Sequence, residues 1–220
     1  MSELYCFVGK GGVGKTTLST AFAIQSALSR RGGRVLVIST DPAHSLGDVL
    51  KTKLGDNPSK VPLPARGSLA AWEINPAKRF RRFLGRHKQE LVSAIERASL
   101  FTAEEVSALL ETALPGLAEI AALLAIQEVS EGGQYARIVV DTAPFGHTLR
   151  LFDLPEQFLR LLRFLDLCAE RDRVLAEHFG GVLTMPRAGF VEQWRARIED
   201  FERTLTSSRL ILVTRRKASR

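Results

Sequence analysis

Eight consecutive residues, Gly9-Lys10-Gly11-Gly12-Val13-Gly14-Lys15-Thr16, follow the pattern G-x-x-x-x-G-K-[ST] of a phosphate-binding loop, with an additional lysine directly after the first glycine. Without Cβ atoms, Gly11, Gly12 and Gly14 let backbone N–H groups curl around phosphate oxygens, where a helix N-terminus adds its partial positive charge. Lys15 is placed to reach the β- and γ-phosphates of a nucleotide, and the Thr16 hydroxyl to ligate Mg²⁺. The expected binding segment runs from Gly9 through Val13 to Thr17.

Two carboxylate-bearing loops extend this chemistry. Asp41 follows the apolar run Val35 to Ser39, and Asp141 closes the run Ala136-Arg137-Ile138-Val139-Val140-Asp141. In an open parallel sheet the carboxyl ends of strands line the ligand crevice. Asp41 is thus expected to face the phosphates and to deprotonate an attacking water, and Asp141 to hold Mg²⁺ through its water shell. Taken alone, either acid reads equally well as a turn residue or a helix cap; beside the loop at residues 9–16 the catalytic reading is the stronger. Thr142-Ala143-Pro144-Phe145-Gly146-His147 has the look of a switch, with Pro144 and Gly146 near the nucleotide and the Gly146 amide able to sense a γ-phosphate.

Those residues need a scaffold of alternating strands and helices. Short apolar runs predict strands at Leu4 to Val8, Val35 to Ser39, Leu69 to Ile74, Arg137 to Val140 and Leu210 to Val213. Helical patterns fill the intervals at Thr17 to Arg30, Ala77 to Ala98, Ala103 to Leu110, Gly116 to Glu131, Pro155 to His178 and Phe190 to Leu205. The expected fold class is α/β, a P-loop NTPase with a largely parallel sheet and helices on both faces. At 220 residues it is read as one domain, 1–220, whose helical subdomain occupies about 76–131 and 155–205.

Composition narrows the function classes. No uninterrupted apolar stretch approaches a membrane span, and the first strand begins too close to Met1 for a cleavable leader, so a cytoplasmic protein, free or peripheral to the membrane, is expected. The net charge of +7 is spread along the chain, densest at Lys78 to Lys88 and Arg215 to Arg220. Lys78 to Lys88 reads as a solvated helix face or as a surface for an acidic partner or membrane. No recognised nucleic-acid module accompanies it, so no nucleic acid is expected. Cys6 and Cys168 form no C-x-x-C pair and read as buried free thiols.

Lys10-Gly11-Gly12-Val13-Gly14-Lys15-Thr16-Thr17 resembles the deviant Walker A motif of the nitrogenase iron protein, MinD and ParA class. Ser39-Thr40-Asp41-Pro42-Ala43-His44-Ser45-Leu46 and Asp141-Thr142-Ala143-Pro144-Phe145-Gly146-His147-Thr148-Leu149-Arg150 look specifically like switch I and switch II of the ArsA and guided-entry-of-tail-anchored-proteins ATPases. The resemblance covers Leu4 to about Val213. It implies ATP and Mg²⁺ as cofactors, a homodimer in which Lys10 reaches the partner's nucleotide, and catalysis by Lys10, Lys15 and Asp41. It implies that Thr16, Asp41 and Asp141 serve the metal, and that the Asp141 loop relays nucleotide state to the helices. Phe145 stands where the family usually has threonine.

The resemblance leaves the coupled process open between a membrane pump for arsenite or another anion and the targeting of a hydrophobic membrane-protein client. Cys168 alone is a poor metalloid site, and methionine is nearly absent from the apolar helices. Beyond Val213 the family's adenine-pocket strands are not matched, so weak base selectivity is expected. A binding module without turnover is the alternative reading, and a ParA-like positioning factor a third.

Overall fold

A computed structural model describes residues 2–29, 33–41, 45–64, 67–79, 81–82, 85, 115–142 and 190–215 of the chain. Six strands form one sheet: β1 (Glu3–Val8), β2 (Val35–Ser39), β3 (Ser59–Val61), β4 (Leu69–Glu73), β5 (Arg137–Asp141) and β6 (Arg209–Leu212), in the order β3-β4-β2-β5-β1-β6. Every pair is parallel except β3 with β4, which is antiparallel. The near-continuous apolar runs of β1, β2 and β5 suit a sheet buried on both faces.

One face carries Tyr5, Phe7, Val35, Val37, Leu69, Ala71 and Val139, packed with Ala23 and Ala27 of helix α1 (Lys15–Leu28) and Leu46 of helix α2 (Ser45–Leu50). Phe22 of α1 lies tilted against Tyr5 and Phe7, with ring centroids 4.8 and 5.6 Å away. The opposite face, with Leu4, Cys6, Leu36, Ile38, Trp72, Ile138 and Val140, is equally buried. Each large apolar side chain so enclosed contributes about 1.5–3 kcal/mol. Helices α3 (Pro115–Glu131) and α4 (Phe190–Thr206) pack on each other and bring in buried Leu123, Ile126 and Ile198.

Charged cross-strand contacts occupy the amino ends of the central strands. Arg137 Nε donates to Glu3 Oε2 at 2.7 Å, and Arg209 Nη1 to the Tyr5 hydroxyl at 2.6 Å, linking β5, β1 and β6. The carboxyl ends of β1, β2 and β5 are left to the motif-bearing loops.

All five strands expected from the sequence are present, with β6 one residue earlier than expected. Helix α1 starts at Lys15 rather than Thr17, so the last two loop residues belong to its first turn. Helix α2 and strand β3 were not expected. Six residues containing Gly47 show no helical period, and the three residues Ser59–Val61 pair only at the sheet's edge. A helix begins at Pro76, where the Asn75 side chain accepts the Lys78 N–H at 2.9 Å. In the basic run that follows, Lys78 and Arg82 lie 3.3 and 3.7 Å from the Asp56 carboxylate, and Arg79 stacks 4.7 Å over the Trp72 ring. The helices expected at 103–110 and 155–178, most of 77–98, and Cys168 lie outside the described residues. No described helix is long and apolar enough to cross a membrane.

Candidate active site

The loop after β1 turns through positive φ at Gly12 (74°) and Gly14 (93°), a left-handed conformation that side chains disfavour. At Gly9 a Cβ would collide with the Val213 carbonyl, so β6 closes directly over the start of the loop. Gly14 is the N-cap of α1, with no side-chain cap and no acid in the helix's first turn. The first N–H groups of α1 are therefore left to a ligand, as a phosphate requires. Lys15 is buried, and its ammonium donates to the Lys10 carbonyl at 3.1 Å, while the Lys10 side chain itself is exposed.

The sheet order places both acids beside this loop. Strand β5 lies between β1 and β2, in register Phe7↔Asp141 and Ser39↔Asp141, so the ends of three strands meet. The Thr40 N–H donates to the Asp141 carbonyl at 3.0 Å, and the Thr142 hydroxyl to the Phe7 carbonyl at 2.8 Å, holding the departing loops together. The Asp41 N–H donates to Ser39 Oγ at 3.2 Å, fixing the first turn beyond β2.

Asp141 is fully buried, and among the described residues neither of its carboxylate oxygens has a hydrogen bond of full geometry. Burial pushes its pKa up to about 6. The Thr16 hydroxyl, the Lys15 ammonium and the Ser39 hydroxyl are close enough to pull it part of the way back, whereas the charge of Asp41 pushes it up. An ionisable oxygen pair without a full partner, facing a hydroxyl and an ammonium, fits a hydrated divalent cation. The donor set is all oxygen, which suits Mg²⁺ and its retained waters. Among the described residues no cluster of three or more His, Cys, Asp or Glu side chains could form a closed metal cage. Thr16, Asp41 and Asp141 therefore fit a metal that takes its other ligands from water and phosphate.

Of the expected site residues, Gly9 through Thr17, Asp41 and Asp141 converge on the carboxyl edge of the sheet; Pro144 and Gly146, like Pro42 to His44, lie outside the described residues. Two hydroxyls were missed as participants. Ser39 supports the Asp41 turn and faces Asp141, and Ser45 Oγ lies 3.2 Å from Thr16 Oγ1. Their signal was position alone, each within four residues of Asp41. Cys6 is a buried free thiol, as expected, and burial pushes its pKa up to about 11. A shallow hollow against Glu199, Glu202 and Arg203 sits near the amino end of β6, across the sheet from these residues.

A family model described as anion-transporting ATPase matches residues 2–216. A relative in Chlorobaculum tepidum, named as an arsenical pump-driving ATPase, is 42% identical over 158 residues, covering 70% of this chain and 36% of the relative. Proteins named ATPase GET3 in Lachancea thermotolerans and Kluyveromyces lactis are 32% and 31% identical over 206 residues, covering 90% of this chain and 58% of each relative. The chain thus spans between about a third and three-fifths of the length of these relatives.

Proposed function

The chain belongs to the anion-transporting ATPase family, and from that premise we infer that it binds ATP with Mg²⁺ and hydrolyses it, working as a homodimer. The observation that carries this reading is the meeting of Lys15, Asp41 and Asp141 at the ends of three adjacent parallel strands.

Lys15 and the uncapped amides of α1 grip the β- and γ-phosphates. Thr16 and Asp141 would hold a divalent cation, which would supply charge neutralisation for the transferring phosphoryl group. Asp41 orients a water and takes its proton as the oxygen attacks the γ-phosphorus; the bond to the β-phosphate oxygen breaks and ADP leaves. Lys10, exposed at the mouth of the loop, is the residue that the resemblance assigns to a second copy's nucleotide. A cytoplasmic location accords with this chemistry.

Two drives are open to hydrolysis: an arsenical pump, from the name of one relative, and tail-anchored targeting, from the switch-motif resemblance. Cys6 is unsuited to metalloid binding, because a buried thiol with a pKa near 11 holds its proton at neutral pH. A membrane pump subunit and a hydrophobic membrane-protein client are the two partners this reading admits.

Asp41→Asn tests the assignment of the base. At saturating Mg²⁺ the variant should still bind ATP with near-parental affinity, while phosphate release slows by roughly a hundredfold or more. Parental turnover in Asp41→Asn removes Asp41 from the role of base.

A further inference from the structure

Thr16 and Ser45 are distant in sequence, yet their hydroxyl oxygens meet at 3.2 Å. Thr16 stands in the first turn of α1, and Ser45 is the first residue of α2. The position of Ser45 is fixed by its neighbours. Leu46 is completely buried in the core that α1 also enters. The Gly47 N–H donates to Glu73 Oε1 at the end of β4, at 2.8 Å. A Cβ at Gly47 would come within 3.0 Å of the Thr52 carbonyl oxygen, so α2 fits closely against its own following turn. Ser45 therefore approaches Thr16 from an anchored helix. An ordinary helix-start serine would bond to its own backbone or to water; this half-buried one spans two elements.

A threonine oxygen offers one hydrogen and two lone pairs. Either hydroxyl can donate across the 3.2 Å contact between Thr16 and Ser45. Whichever of the two donates, the contact orients the Thr16 hydroxyl and leaves at least one Thr16 lone pair for a cation. We propose that Ser45 is a positioning residue for the metal: its hydroxyl turns the Thr16 oxygen so that a remaining lone pair meets the nucleotide's divalent cation, and the same bond makes α2 part of the metal-bearing unit. The inference rests on the ATPase reading above and adds to it a residue that touches neither nucleotide nor metal.

The test is a Mg²⁺ titration of the binding of a fluorescent ATP analogue, made with the parent, Ser45→Ala and Ser45→Thr, together with phosphate release at saturating Mg²⁺. Loss of one hydrogen bond should raise the Mg²⁺ needed for half-maximal tightening by about three- to tenfold in Ser45→Ala. Turnover at saturating Mg²⁺ should stay within about twofold of the parent, since only metal binding is altered, and the melting temperature should fall by no more than about 2–4 °C, the loss of one hydrogen bond. Ser45→Thr, which keeps the hydroxyl, should restore the parental Mg²⁺ requirement. A parental requirement in Ser45→Ala overturns the inference while leaving the ATPase reading intact. A shift that Ser45→Thr does not restore, or that comes with a much larger loss of melting temperature, makes Ser45 a packing residue and overturns it equally. A parent whose nucleotide affinity ignores Mg²⁺ overturns the ATPase reading and this inference with it.

Discussion

Asp141 is the residue on which the geometry bears most heavily. Burial raises its pKa to about 6, whereas the unfolded chain holds it at the ordinary aspartate value near 3.8. Above about pH 6 it is ionised in both states, and the buried charge destabilises the ligand-free fold by on the order of 2–3 kcal/mol. As pH falls toward about 4, the folded protein takes up a proton that the unfolded chain does not, and the penalty disappears. Asp141→Asn should therefore be more stable than the parent in urea at pH 7–8 by about that amount, and should lose the advantage near pH 4. Equal stability at both pH values would show that the carboxylate is not held at a cost in the ligand-free protein. The sequence placed Asp141 at a strand's end by its apolar run. It could not show that the side chain is sealed between Thr16 and Ser39, because that depends on which strands become neighbours.

At the scale of elements, the loop and the long strands were legible because each has a local cause: glycines that permit positive φ, and apolar runs of the right length. Helix α2 was not. It has one buried anchor, Leu46, and its position comes from contacts with α1 and with Glu73, none of them periodic in sequence. Strand β3 likewise exists only through its antiparallel pairing with β4. The importance of α2 can be measured. Leu46→Ala removes a completely buried side chain, which should cost about 2–5 kcal/mol in urea unfolding. Nucleotide affinity in Mg²⁺ should also weaken, since Ser45 and the end of the Asp41 loop lose their support. A stability loss without any change in Mg²⁺-dependent binding would separate α2 from the site.

Across the whole molecule, one topological choice assembles the chemistry: β5 inserts between β1 and β2, although it follows them by about a hundred residues or more in the chain. Alternation of apolar runs predicts a parallel sheet, but the order of strands follows from how crossovers pack, which no local pattern records. The register Phe7↔Asp141↔Ser39 follows from that insertion. Lys15, Asp41 and Asp141, the residues proposed for phosphate grip, water activation and metal holding, then lie on one sheet edge. The most direct test is steady-state phosphate release from ATP and Mg²⁺ by the purified chain beside Lys15→Ala, both confirmed as folded by circular dichroism. The parent should release phosphate continuously, and Lys15→Ala should release none above background, because the charge developing on the transferred phosphoryl group loses its principal protein partner. A folded parent that binds Mg²⁺ and ATP without releasing phosphate, or a Lys15→Ala variant that turns over at the parental rate, would contradict the assignment of this sheet edge as an ATPase site.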